Sequence, residues 1–170
     1  MVNTSLSQVV LDYVVLEGRT RARIIWGKLA STYKPGQAVY ESSTRIFTTG
    51  DASTAGHHLI KMGLIEFNPR TTSGFGEVDI DTAYATTDDV PIIIGSMYGP
   101  IKVAAFHDNP SGAVLFGVSF VISDTAGQWK KETLESAGSV SGTAIRYVHR
   151  LFCAEEGLAN GDTKGLFYYA

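Results

Sequence analysis

Apolar residues in this chain fall in short β-branched and aromatic runs, with period-two alternation over residues 77–81 and 144–153, broken by clusters of Gly, Pro, Asp, Asn and Ser. That rhythm predicts an all-β domain, a small β-barrel or sandwich. Residues 23–29 predict a short strand, and Tyr33-Lys34-Pro35-Gly36 a turn, because proline fixes one φ while glycine accepts a positive one. A second strand follows over residues 37–41, and strand-like apolar residues return over 56–67, ending at the loop signal Asn68-Pro69. Residues 77–81 alternate acid and aliphatic, which predicts a strand with its carboxylates in water. Two further runs, 90–95 and 101–106, are joined through Tyr98-Gly99-Pro100, and a meander is the simplest connection between them. Residues 113–122 and 128–131 predict a hairpin whose second strand presents Lys130 and Lys131 at a wet edge. Ile145, Tyr147, His149, Leu151 and Cys153 share one face of a strand, and residues 166–169 form a last strand, an apolar end that must be tied down.

The N-terminal stretch follows a different rhythm. Leu6, Val9, Val10, Tyr13 and Val14 fall at helix-like spacing, yet the density of valine stiffens the backbone toward extended structure. We read it as an extended arm over residues 1–23, followed by a single β-rich domain over 24–170. Arg19, Arg21 and Arg23 alternate within it, which places three guanidinium groups on one side of an extended segment. They can grip carboxylates of another subunit or protect an edge strand from aggregation by charge. The candidate subunit contacts are therefore Leu6, Val9, Val10, Tyr13, Arg19, Arg21 and Arg23.

Composition narrows the partners. A chain of 170 residues can bury a core large enough to fold without disulfides or metals, and its single cysteine forms no internal disulfide. Seventeen acidic against fourteen basic residues leave a formal charge of -3, which argues against nucleic acid as the main partner. The first residues carry neither a basic nor an apolar signal region, and the apolar runs are too short to span a bilayer, so a membrane partner is not expected. Without a secretory signal, the Asn3-Thr4-Ser5 sequon is read as chance.

Candidate chemistry is thin. His57 and His58 point to opposite faces of a strand and do not share one ion readily, while His149 and Cys153 would pair on a helix only. Glu77, Asp79, Asp81, Asp88 and Asp89 lack the ligand order and glycine of an EF-hand loop. Gly74-Phe75-Gly76 lacks the strand-to-helix setting of a phosphate loop. His107-Asp108 is half of a dyad, with Ser96 or Ser119 as conceivable nucleophiles, but no nucleophile motif accompanies it, and a turn histidine beside a turn aspartate is the plainer reading. No catalytic residue, metal or cofactor is expected.

The order of turns and strands resembles a family of tailed-phage head proteins, the decoration or minor capsid proteins related to small β-barrel cement proteins. The resemblance rests on Pro35-Gly36-Gln37-Ala38-Val39-Tyr40, Gly63-Leu64-Ile65-Glu66, Asp79-Ile80-Asp81-Thr82-Ala83-Tyr84 and Asp88-Asp89-Val90-Pro91-Ile92. It continues through residues 99–105, Ser111-Gly112-Ala113-Val114, Phe116-Gly117-Val118, residues 146–156 and residues 164–169, about from Lys34 to Ala170. The first 33 residues are not clearly covered, and Thr86-Thr87 stands where a Gly-Asp turn is more usual. The resemblance implies a β-barrel-like fold, a homotrimer on the capsid exterior made in the host cytoplasm, and a shell stabilised against internal DNA pressure by contact with major capsid subunits. The arm and multivalency on a repeating lattice would supply the adhesion. Two rivals follow from the residues: a receptor- or glycan-binding head-fibre domain using Trp26, Tyr98, Trp129 and Tyr168, most of which are expected in the core, and a small hydrolase built on His107 and Asp108.

Overall fold

A computed structural model of the chain describes residues 14–50, 62–66, 82–86, 88–108, 114–123, 125–131, 151–154 and 164–169. Among them the protein is all-β, with two sheets and one short 3-10 turn at Arg19–Arg21. No helix among the described residues is long and apolar enough to cross a membrane.

The first sheet closes into a barrel. Strands β2 (Ala22–Leu29), β3 (Ala38–Ser43), β4 (Ile46–Thr49), β5 (Met62–Ile65) and β6 (Asp89–Ser96) run in the order β2-β4-β3-β5-β6, and β6 pairs back onto β2. Every pairing is antiparallel except β2 with β4, where Lys28 and Leu29 lie parallel to Ile46 and Phe47. The second sheet has six strands in the order β1-β7-β11-β10-β8-β9: β1 (Val15–Glu17), β7 (Ile101–Phe106), β8 (Ser119–Ile122), β9 (Trp129–Lys131), β10 (Leu151–Cys153) and β11 (Lys164–Tyr169).

Period-two side-chain alternation explains how both sheets share one core. Val39, Ile65, Val90 and Ile92 fill the barrel together with Leu29, Phe47 and Tyr84. Their neighbours Ala38, Leu64 and Ile93, with Met62, face the other way and pack against Val103, Phe120, Trp129, Phe167 and Tyr169 of the six-stranded sheet. Strands β5 and β6 are therefore apolar on both faces, and each fully buried Ile or Leu contributes about 1.5–3 kcal/mol. The barrel interior is narrow. Gly63 is required there because a Cβ would lie 2.7 Å from the Ile93 carbonyl oxygen, and Gly27 because Phe47 occupies the space over it.

Several expectations agree with this arrangement. The turn expected at Tyr33-Lys34-Pro35-Gly36 forms one residue later, with the Gln37 N–H donating to the Lys34 carbonyl and Gly36 at φ 81°; β8 and β9 make the expected hairpin, and β11 is tied between β7 and β10. Leu151 and Cys153 are buried with Phe152 outside. The meander expected between residues 90–95 and 101–106 is overturned: β6 belongs to the barrel and β7 to the six-stranded sheet. Gly99, at φ 88°, lies in the loop that carries the chain across, so Tyr98-Gly99-Pro100 is a crossover between sheets. The strands expected over residues 77–81 and 145–149 lie outside the described residues.

Candidate functional site

The chain crosses between the sheets twice near one point, and most of the predicted contact residues that are described stand there. Leu6, Val9, Val10 and Tyr13 lie outside the described residues. The chain after them is built into the fold: Val14 and Val15 are buried, and β1 is the edge strand beside β7. A fully buried carboxylate holds this segment. The Val14 N–H donates to Glu66 Oε1 at 2.5 Å and the Val15 N–H to Glu66 Oε2 at 3.0 Å. Glu66 is itself fixed just past β5, where its N–H donates to the Pro91 carbonyl at 2.8 Å and its own carbonyl accepts from the Tyr84 hydroxyl at 3.1 Å. Nothing in the local sequence marks this glutamate, because its partners are 51 and 52 residues away.

The three arginines do not form a continuous extended stripe. Gly18 adopts φ 77°, the chain turns through Arg19–Arg21, and only Arg23 lies on a strand. The turn instead places Arg21 beside the second crossover. The Met97 N–H donates to the Arg21 carbonyl at 2.9 Å, and Arg21 Nη1 donates to the Tyr98 carbonyl at 3.5 Å. The Ser96 hydroxyl donates to the Gly99 carbonyl and ties the loop to itself. Met97 and Tyr98 are consequently held outward, 56% and 77% exposed, next to half-buried Arg21. A loop pinned in this way loses little further freedom when a partner covers it.

A second apolar surface lies on the six-stranded sheet. Leu115, Phe116, Gly117 and Val118 form a turn with Gly117 at φ 80°, clipped to β10 by Gly117 N–H to Cys153 carbonyl and Cys153 N–H to Val118 carbonyl, each 2.8 Å. Leu115 and Phe116 are 70% and 60% exposed, and the Phe116 ring meets Tyr168 edge to face at 6.2 Å. Of the four aromatics expected mostly in the core, Trp129 is buried, Tyr168 half-buried, and Trp26 and Tyr98 stand outside.

His107 is a core residue rather than the turn residue expected. It is fully buried against the paired rings of Phe120 and Phe167, at centroid distances of 6.0 and 5.9 Å, and its Nδ1 lies 3.0 Å from the Asp108 carbonyl oxygen. Asp108 takes the Ser123 hydroxyl, and Ser96 is committed to Gly99, so the Ser-His-Asp relay is not assembled from these groups. His107 Nε2 and Trp129 Nε1 have no hydrogen-bond partner among the described residues. His57, His58 and His149 lie outside the described residues, as do Glu77, Asp79 and Asp81. Of the other acids weighed as calcium ligands, Asp88 accepts from the Ala85 N–H at 2.9 Å and Asp89 lies 3.9 Å from Lys28. Among the described residues no three His, Cys, Asp or Glu side chains converge as a metal site. No protein-family model matches the chain, and no curated protein is significantly similar to it.

Proposed function

We propose that this chain is a structural virion protein that decorates a tailed-virus capsid from outside, binding major capsid subunits as a homotrimer and catalysing nothing. The observation that carries the reading is the pinned patch of Arg21, Met97 and Tyr98: an aromatic and a thioether held outward beside a guanidinium group, the side-chain types that anchor protein interfaces. The turn at Leu115 and Phe116 supplies a second apolar contact, so one copy can touch two neighbours. The resemblance in turn and strand order over residues 34–170 supplies the identity of the lattice. The partner surface that fits the patch is acidic, with an apolar recess for Tyr98.

Co-sedimentation with empty capsids of the encoding virus tests this. The wild-type chain is expected to pellet at a fixed ratio to the major capsid subunit, and Y98A and R21E each to lose about tenfold or more in affinity. Pelleting that fails for the wild type removes the capsid reading, whereas pelleting undiminished in both variants removes this patch as the contact.

A further inference from the structure

The closure of the barrel leaves a cleft that the capsid reading does not use. The seam between β2 and β4 is only Lys28–Leu29 against Ile46–Phe47. Upstream of it the β3–β4 hairpin turns away at Arg45, whose φ of 57° is held by its N–H donating to Glu41 Oε1 at 2.6 Å. Ile25, Trp26, Glu41, Arg45 and Phe47 line the resulting space of about 310 Å³, at the small end of ligand pockets.

The backbone in the gap is also polar. Trp26 stands opposite Pro91, which has no N–H and sends its carbonyl to Glu66, away from β2. Lys28, two residues on, donates to the Arg45 carbonyl at 2.8 Å. By strand alternation the N–H and C=O of Trp26 point to that same side, where β4 has not yet begun. The cleft thus combines a 52%-exposed indole, a buried phenyl, one carboxylate, one guanidinium and one peptide edge.

We propose that this cleft binds a neutral carbohydrate, with one pyranose ring seated against Trp26. A sugar presents an apolar C–H face to an indole and a rim of hydroxyls that both donate and accept, which matches donors from Arg45 and the peptide and acceptors on Glu41. The two charges are of opposite sign and both exposed, so they select for hydrogen bonding rather than for a net charge. An added peptide strand fits less well, because the unpaired edge ends where Ile46 meets Lys28.

The chain has two tryptophans, Trp26 exposed and Trp129 buried, so fluorescence of the full chain reports the site directly. The probes are the methyl glycosides of glucose, galactose, mannose and N-acetylglucosamine and their β-1,4-linked disaccharides, titrated without capsids present. At least one is expected to shift the emission saturably with Kd on the order of a millimolar or tighter. W26A should abolish heat of binding in calorimetry while the Trp129 emission stays that of a buried indole. R45G, which suits the positive φ and removes the guanidinium with the rest of the side chain, should weaken binding about tenfold and serves as the second variant if W26A does not fold. No saturable response to any probe, or binding unchanged in W26A or R45G, overturns the site whatever the capsid assay returns.

Discussion

Glu66 is the residue on which the N-terminal segment depends. A buried carboxylate accepting two backbone N–H groups makes charge-assisted bonds, each worth about 1.5–3 kcal/mol, and its removal leaves the Val14 and Val15 donors buried and unpaired. E66A is therefore expected to destabilise the chain by about 3–5 kcal/mol, read from urea midpoints. E66Q should recover only part of that loss, since its amide NH2 turns one of the two acceptors into a donor facing a donor. Equal stability of E66Q and wild type would mean that the pairing contributes no charge. Tyr169 makes a separate prediction. It is buried, its hydroxyl donates to the Met62 carbonyl at 3.4 Å, and desolvation pushes its phenol well above the ordinary value. The unfolded chain releases that proton near pH ~10 while the folded chain keeps it, so stability is intact below that pH and falls above it by up to about 1.4 kcal/mol per pH unit. Between pH 9 and about pH 11, Y169F should lose measurably less stability than wild type in the same urea titration. Parallel loss in both proteins would assign the alkaline sensitivity to other groups.

At the scale of elements, two glycines separate two kinds of constraint. Gly63 sits inside the barrel wall against the Ile93 carbonyl, so G63A must push backbone apart and is expected to cost about 3 kcal/mol. Gly117 has open space around it but φ of 80°, so G117A should cost only the left-handed strain, about 1–2 kcal/mol. If thermal or urea unfolding ranks the two the other way, the barrel interior is looser than its packing implies. The same elements show what was legible in the sequence. Strands β2, β3, β7 and β11 and the β8–β9 hairpin were readable because alternation and turn chemistry are local. The parallel β2–β4 seam was not, since a two-residue ladder between segments separated by another strand leaves no period of its own. The crossover at Gly99 was misread as a meander for the same reason: a turn signal says that the chain bends and is silent on which sheet receives it. The contact residues fared likewise. Arg21 and Tyr98 could each be singled out, but their adjacency comes from the two crossovers meeting and not from spacing along the chain.

For the whole molecule, the position at which the arm is cut decides what a truncation measures. Val14, Val15 and Leu16 belong to the core shared by barrel and sheet, and Val15 and Glu17 pair with Val103 and Lys102. Deleting residues 1–18 would strip the edge of the six-stranded sheet, bare one side of β7 and leave the Glu66 carboxylate without the two donors, a destabilisation of about 3–5 kcal/mol before any assembly is tested. Deleting residues 1–13 spares all of these contacts. The longer deletion should therefore lower the melting temperature by several degrees or more relative to the shorter one, which keeps the Glu66 and β7 pairings. With the fold so controlled, light scattering after size exclusion separates the roles of the segment. A trimer in wild type that becomes a monomer in the 1–13 deletion would place the subunit contact in Leu6, Val9, Val10 and Tyr13. A trimer that survives it would assign self-association to the exposed patches at Met97 and Tyr98 or at Leu115 and Phe116, which Y98A and F116A then distinguish. A monomer in every form leaves association to the lattice itself, where weak contacts to repeated subunits add through effective concentration rather than through a preformed oligomer.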